Sequence, residues 1–129
     1  MSEALGFLGL TKRAGKLCAG EDAVLAALAE GKVRLLLLAA DAGEKTVRRT
    51  EFRSEGKLPI LYLESDKAAL GSALGWGACA VAAITDIDMA LAFAKKMAQA
   101  DPRHQTAADA LSEKQEKIAL RKAKKPRKR

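Results

Sequence analysis

A chain of 129 residues, 49% of them hydrophobic, holds material for one packed domain. Its +7 charge is uneven: residues 1–100 carry 13 Lys/Arg against 12 Asp/Glu, and residues 101–129 carry 10 against 4, so a near-neutral body trails a cationic segment suited to a polyanion, chiefly nucleic acid. Two cysteines exclude a disulfide framework, and no apolar run approaches the ~18 residues of a membrane span, so the expectation is a soluble cytoplasmic protein with reduced, buried thiols and no membrane partner.

The elements follow in order. Leu5 and Leu8 recur at helical spacing and predict a first helix over about Glu3 to Arg13, stopped by Gly15. Lys16 to Ala19 reads as a short extended piece. Gly20 opens a second helix, Glu21 to Glu30, and Gly31 ends it in a left-handed conformation. Arg34 to Ala40 contains LLLL, a strand buried on both faces. A third helix, Glu44 to Glu55, carries a charged, solvated side. Pro59 to Glu64 is a strand, Ser65 caps a short helix from Asp66 to about Ala73, and Gly75-Trp76-Gly77 forms a loop. Cys79 to Thr85 is another apolar strand. Asp86 introduces a last core helix, Ile87 to Ala100, with Met89, Leu91, Ala92 and Met97 on its inner face.

Strands alternating with helices predict an α/β protein, a three-layer α/β/α sandwich over residues 1–100. Pro102 then breaks the chain. The segment 101–129 offers Leu111, Ile118 and Leu120 as its large apolar side chains, with Ser112 and Gln115 as a capping box. It is expected to be a basic tail, disordered alone and helical when bound.

The chemistry points away from catalysis. The single histidine, His104, falls in the predicted mobile tail, where nothing would hold it against a nucleophile. Asp86 is explained as a helix cap. The Gly-rich pieces lack the length and the Gly-Lys-Ser/Thr end of a phosphate loop. No metal, cofactor or small-molecule substrate is expected.

Binding is the better reading. Thr11, Lys12, Arg13 and Lys16 cluster in sequence just before the second helix, whose uncapped N-terminal amides favour an acceptor or anion. Glu21 and Asp22 suit the helix dipole but oppose a phosphate at that spot. Trp76, between two glycines, offers a ring for stacking on an unpaired base.

The segments LGLTKRAGKLCAGEDAV, GKVRLLLLAADAGEKT, LPILYLESDKAALGSALG and AVAAITDIDMA resemble, in order, the bacterial YlxQ-type branch of a superfamily. That superfamily holds ribosomal proteins L-seven-Ae, L-thirty-e and S-twelve-e and the stress protein Gadd-forty-five. The resemblance covers about residues 4–100. It implies a mixed, roughly four-stranded sheet, no enzymatic activity, and structured RNA as partner: a kink-turn in the better-understood members, with ribosomal RNA or a ribonucleoprotein as the candidates here. It places contacts at the start of the second helix, Gly20, Glu21 and Asp22, and at the loop Gly75, Trp76, Gly77 and Ala78; the cationic cluster Lys12, Arg13 and Lys16, read from the chain itself, joins them as the expected RNA-binding edge. The family's base-reading positions, counted from Gly20, fall on Asp22, Ala23 and Ala26, which carry no donor for guanine N7 and O6. An adaptor that keeps the fold but binds protein is therefore the alternative. Arg121, Lys122, Lys124, Lys125, Arg127, Lys128 and Arg129 are expected to add phosphate contacts from the tail.

Overall fold

The computed structural model describes residues 2–54 and 56–124. The chain builds α1 (Ser2–Arg13), β1 (Leu17–Ala19), α2 (Glu21–Ala29), β2 (Leu35–Leu38), α3 (Glu44–Ser54), β3 (Ile60–Tyr62), α4 (Lys67–Ala73), β4 (Val81–Ile84) and α5 (Ile87–Ala100). A single 3₁₀ turn at Pro102–His104 then leads into α6 (Gln105–Lys124).

The four strands form one sheet in the order β1-β4-β2-β3. β2 and β3 run parallel, while β4 runs antiparallel to both β1 and β2, so the sheet is mixed as expected. Side chains alternate across it with the period of two that a strand imposes. Leu35, Leu37, Ala82 and Ile84 enter the larger core, under α1, α4, α5 and α6. Leu36, Leu38, Val81 and Ala83 enter the smaller one, under α2 and α3. The run LLLL is apolar throughout because it has a helical layer on each side.

Caps and stops follow local chemistry. Asp86 accepts a hydrogen bond from the Met89 amide at 2.9 Å, as its position predicts. Gly15 and Gly31 take positive φ at the ends of α1 and α2. The cap of α4 is Asp66, which accepts from the Ala69 amide at 2.8 Å, rather than Ser65. The inner face of α5 is also turned from the one expected: Ala90, Leu91, Phe93, Ala94 and Met97 are buried, while Met89 and Ala92 sit at the margin. Cys79 is buried and its thiol, pushed above its usual pKa by that burial, donates to the Val81 carbonyl at 3.2 Å. Cys18 is only half-buried.

The largest departure lies beyond residue 100, where a tail is expected. Residues 105–124 are one helix, with Ser112 in its interior instead of at a cap. Ala107, Ala108 and Leu111 are buried in the larger core, packed on α5. Gln115 donates to Asp88 of α5 at 2.8 Å. The docking stripe is made of small alanines, which carry little hydropathic contrast in sequence yet let two helices approach closely. Lys125, Arg127, Lys128 and Arg129 lie outside the described residues. No described helix is long and apolar enough to cross a membrane.

Candidate nucleic-acid interface

The loop between α4 and β4 is held from several directions. Its Trp76 amide donates to the Gly71 carbonyl at 2.7 Å, and the Cys79 amide to Lys67 at 3.0 Å. Gly71 presses so closely on the returning chain that a Cβ there would lie 2.7 Å from the Ala78 Cα. At the neighbouring tip of α2, Gly20 donates to the Val81 carbonyl at 2.9 Å and takes φ 92°, a conformation that favours glycine. A Cβ on Gly20 would come 3.2 Å from Cζ3 of the Trp76 ring. The tryptophan therefore rests on the helix tip while remaining 44% exposed.

Lys12 completes this edge. Its Nζ donates to the Leu74 carbonyl at 2.6 Å, at the C-terminal end of α4 where a cation is favoured. The same Nζ lies 5.9 Å from the centroid of the Trp76 ring, within cation–π range. Lys12, Gly20 and Gly75 to Ala78 thus share one surface. Gly20 provides no side-chain cap for the first-turn amides of α2.

Lys16 does not join them. The Thr85 amide donates to its carbonyl at 2.9 Å, at the opposite end of β1, about 13 Å along an extended chain from Gly20. Proximity in sequence misleads here because the intervening residues are a strand. Thr11 is buried and donates to the Phe7 carbonyl at 2.9 Å, and Arg13 is exposed at the end of α1.

Glu21 has a role that its sequence position conceals. Its carboxylate accepts from the Thr46 hydroxyl at 3.3 Å and lies 2.9 Å from Nε of Arg49, tying α2 to α3. Arg49 thereby stands beside the helix tip, a cation that local patterning places only on the solvated side of α3. Asp22, Ala23 and Ala26 lie on the outer side of α2, so that stripe offers one carboxylate and two methyl groups.

The single histidine is not mobile. His104 is 4% exposed, and its Nε2 lies 3.0 Å from a Glu64 carboxylate oxygen. Glu64, Asp101 and His104 are close enough to suggest a metal site. Arg103, however, already bridges the two carboxylates: its Nε meets Asp101 at 3.0 Å and its terminal nitrogen donates to Glu64. The guanidinium supplies the positive charge a metal would bring, and the cluster serves as a clasp between the end of β3 and the start of α6.

Residues 3–92 match the Ribosomal protein L7Ae/L30e/S12e/Gadd45 family. The chain belongs to this family. It is 38% identical over 80 residues to the RNA-binding protein YlxQ of Bacillus subtilis (strain 168), an alignment spanning 61% of this chain and 79% of that protein. A solved structure of a protein with unknown function from Bacillus halodurans C is similar at a TM-score of 0.68 and 28% identity, covering 74% of this chain and 96% of the other. The Giardia lamblia 15.5kD RNA binding protein shares the fold at a TM-score of 0.57 and 20% identity, over 84% of this chain and 78% of its own.

The L7Ae-type sandwich thus accounts for the sheet and the first four helices, together with the Gly20 tip and the Trp76 loop. The family match stops within α5. Of the clasp, Glu64 lies within the match, while Asp101, Arg103, His104 and the whole of α6 lie outside it.

Proposed function

We propose that this chain is a non-catalytic RNA-binding protein that docks structured RNA against the tip of α2 and the Trp76 loop. The observation that carries the reading is the half-exposed tryptophan ring, seated on Gly20 and flanked by Lys12. A flat aromatic face beside a cation and a row of uncapped amides suits an unstacked base whose polar edge accepts hydrogen bonds. The similarity to an RNA-binding protein named YlxQ supports the same class of partner. A ribosomal RNA or other ribonucleoprotein in the cytoplasm fits this reading.

The mode of recognition differs from base-edge reading of a kink-turn. Asp22, Ala23 and Ala26 present no donors to guanine, and each lost base-edge pair costs about 1–3 kcal/mol. Affinity then comes from stacking and backbone contacts, with Arg121, Lys122 and Lys124 on α6 and the basic residues beyond it adding phosphate contacts.

The test is direct. RNA should quench or shift Trp76 fluorescence, and Trp76→Ala should cost about 1–3 kcal/mol of binding, roughly 5- to 150-fold in Kd. An unchanged Kd with fluorescence indifferent to RNA would overturn the assignment. The donor-free stripe on α2 favours one second reading, a protein-interaction adaptor. Partners that persist on the purified protein after nuclease treatment would support it, and partners that vanish would refute it.

A further inference from the structure

We infer that a basic groove between α6 and the Arg34 end of the sheet is a second binding site, one for the phosphodiester backbone of RNA. The inference rests on the RNA reading above and adds to it a site remote from the Trp76 loop.

The groove has a volume of about 650 Å³. Arg34, Arg53, Lys114 and Lys117 line it, and among the described residues Glu113 is the one carboxylate in the lining. Several cations elsewhere on the body are matched: Lys32 by Glu30, Arg48 by Glu44, Arg49 by Glu21 and Arg103 by Glu64 and Asp101. Among the described residues, no carboxylate lies within ion-pairing distance of Arg34, Arg53, Lys114 or Lys117. Like charges converging on one concave surface repel one another unless an anion neutralises them.

Three separate elements deliver these charges. Arg34 precedes β2, and its amide donates to the Ile84 carbonyl at 2.8 Å, which fixes the backbone at the groove floor. Arg53 comes from the last turn of α3. Lys114 and Lys117 come from α6, where Ala110, Lys114, Lys117 and Arg121 follow one helical face, so the cationic stripe continues out of the groove along the helix. Leu58 and Pro59 give the floor an apolar strip against which ribose can lie. An extended polyanion suits cations set on three separate segments better than a compact ligand does.

The groove and the loop lie at opposite ends of α2. Gly20 stands at the helix tip under Trp76, and Gly31 lines the groove. The intervening helix spans roughly 15 Å. An RNA engaging both must reach along the body, so the cations of α6 hold a different segment from the one stacked on Trp76.

The experiment measures the salt dependence of binding to an unstructured single-stranded RNA, using the full chain. Arg34→Gln/Lys114→Gln/Lys117→Gln should flatten the slope of log K against log salt by about 2, since each neutralised phosphate contributes roughly 0.7. Trp76→Ala should weaken binding with the slope intact. A charge-matched control, Lys45→Gln/Lys95→Gln/Lys96→Gln, should leave the slope unchanged. If the triple groove variant does not fold, Lys117→Gln alone should flatten the slope by about 0.7.

A groove variant that binds RNA with the wild-type slope overturns the groove and leaves the loop reading standing. A control that flattens the slope equally also overturns it, since the effect then belongs to net charge. Displacement of RNA from the groove by ATP, or preferential binding of polyglutamate there, overturns the backbone assignment. A wild-type protein that binds no RNA overturns both readings.

Discussion

Gly71 and Gly20 are ordinary glycines in the sequence, and only their neighbours reveal what each is for. At Gly71 the backbone of Ala78 occupies the space a side chain would need. Gly71→Ala should therefore destabilise the domain by about 1–3 kcal/mol through overpacking, read as a lower thermal midpoint with altered Trp76 emission. Gly77, where an added methyl group would meet nothing within 4 Å, serves as the control: Gly77→Ala should leave the midpoint near wild type. Equal midpoints for the two variants would refute the close crossing. The sequence marks Gly75-Trp76-Gly77 as a loop and Gly20 as the start of a helix. It does not say that the ring of one covers the tip of the other, because 56 positions separate them and the sheet alone brings them together.

At the scale of elements, α6 divides what periodicity can read from what it cannot. Asp86 was legible because a cap acts within three residues of itself. The seat of α6 was not, since its inner stripe runs through Ala107 and Ala108 and reaches one large side chain, Leu111, which is 1% exposed. Leu111→Ala should cost about 2–5 kcal/mol in chemical denaturation, whereas Leu120→Ala, at a position 57% exposed, should stay within ~0.5 kcal/mol. If both variants match wild type, α6 does not pack on the core in solution. Basic composition made this segment look like a free arm, yet Ala107, Ala108 and Leu111 are buried and the charges lie off that stripe. An amphipathic helix whose apolar side is alanine reads as polar throughout.

For the molecule as a whole, the clasp between Glu64, Arg103 and His104 couples stability to pH by closing α6 over the end of β3. Burial pushes the Glu64 carboxyl up, but its own backbone amide, Arg103 and His104 together outweigh this and hold it below the usual value of 4.5. A carboxyl depressed in the folded state adds stability that is complete above its unfolded pKa and lost as pH falls through the folded one. The thermal midpoint of the wild type should thus exceed that of Glu64→Gln at neutral pH, with the gap closing as acid is added below about 4.5. A gap that stays constant into acid would remove Glu64 from the linkage. From the chain alone came the alternation of elements, the doubly buried strand, the left-handed Gly31 and the Asp86 cap, since each follows from patterns and hydrogen bonds within a few residues. The strand order β1-β4-β2-β3 decided the rest. It set Trp76 on Gly20, carried Lys16 to the far end of the sheet, buried His104, and gathered cations from the approach to β2, from α3 and from α6 into one groove, because contacts between distant positions follow from how layers pack and not from any local period.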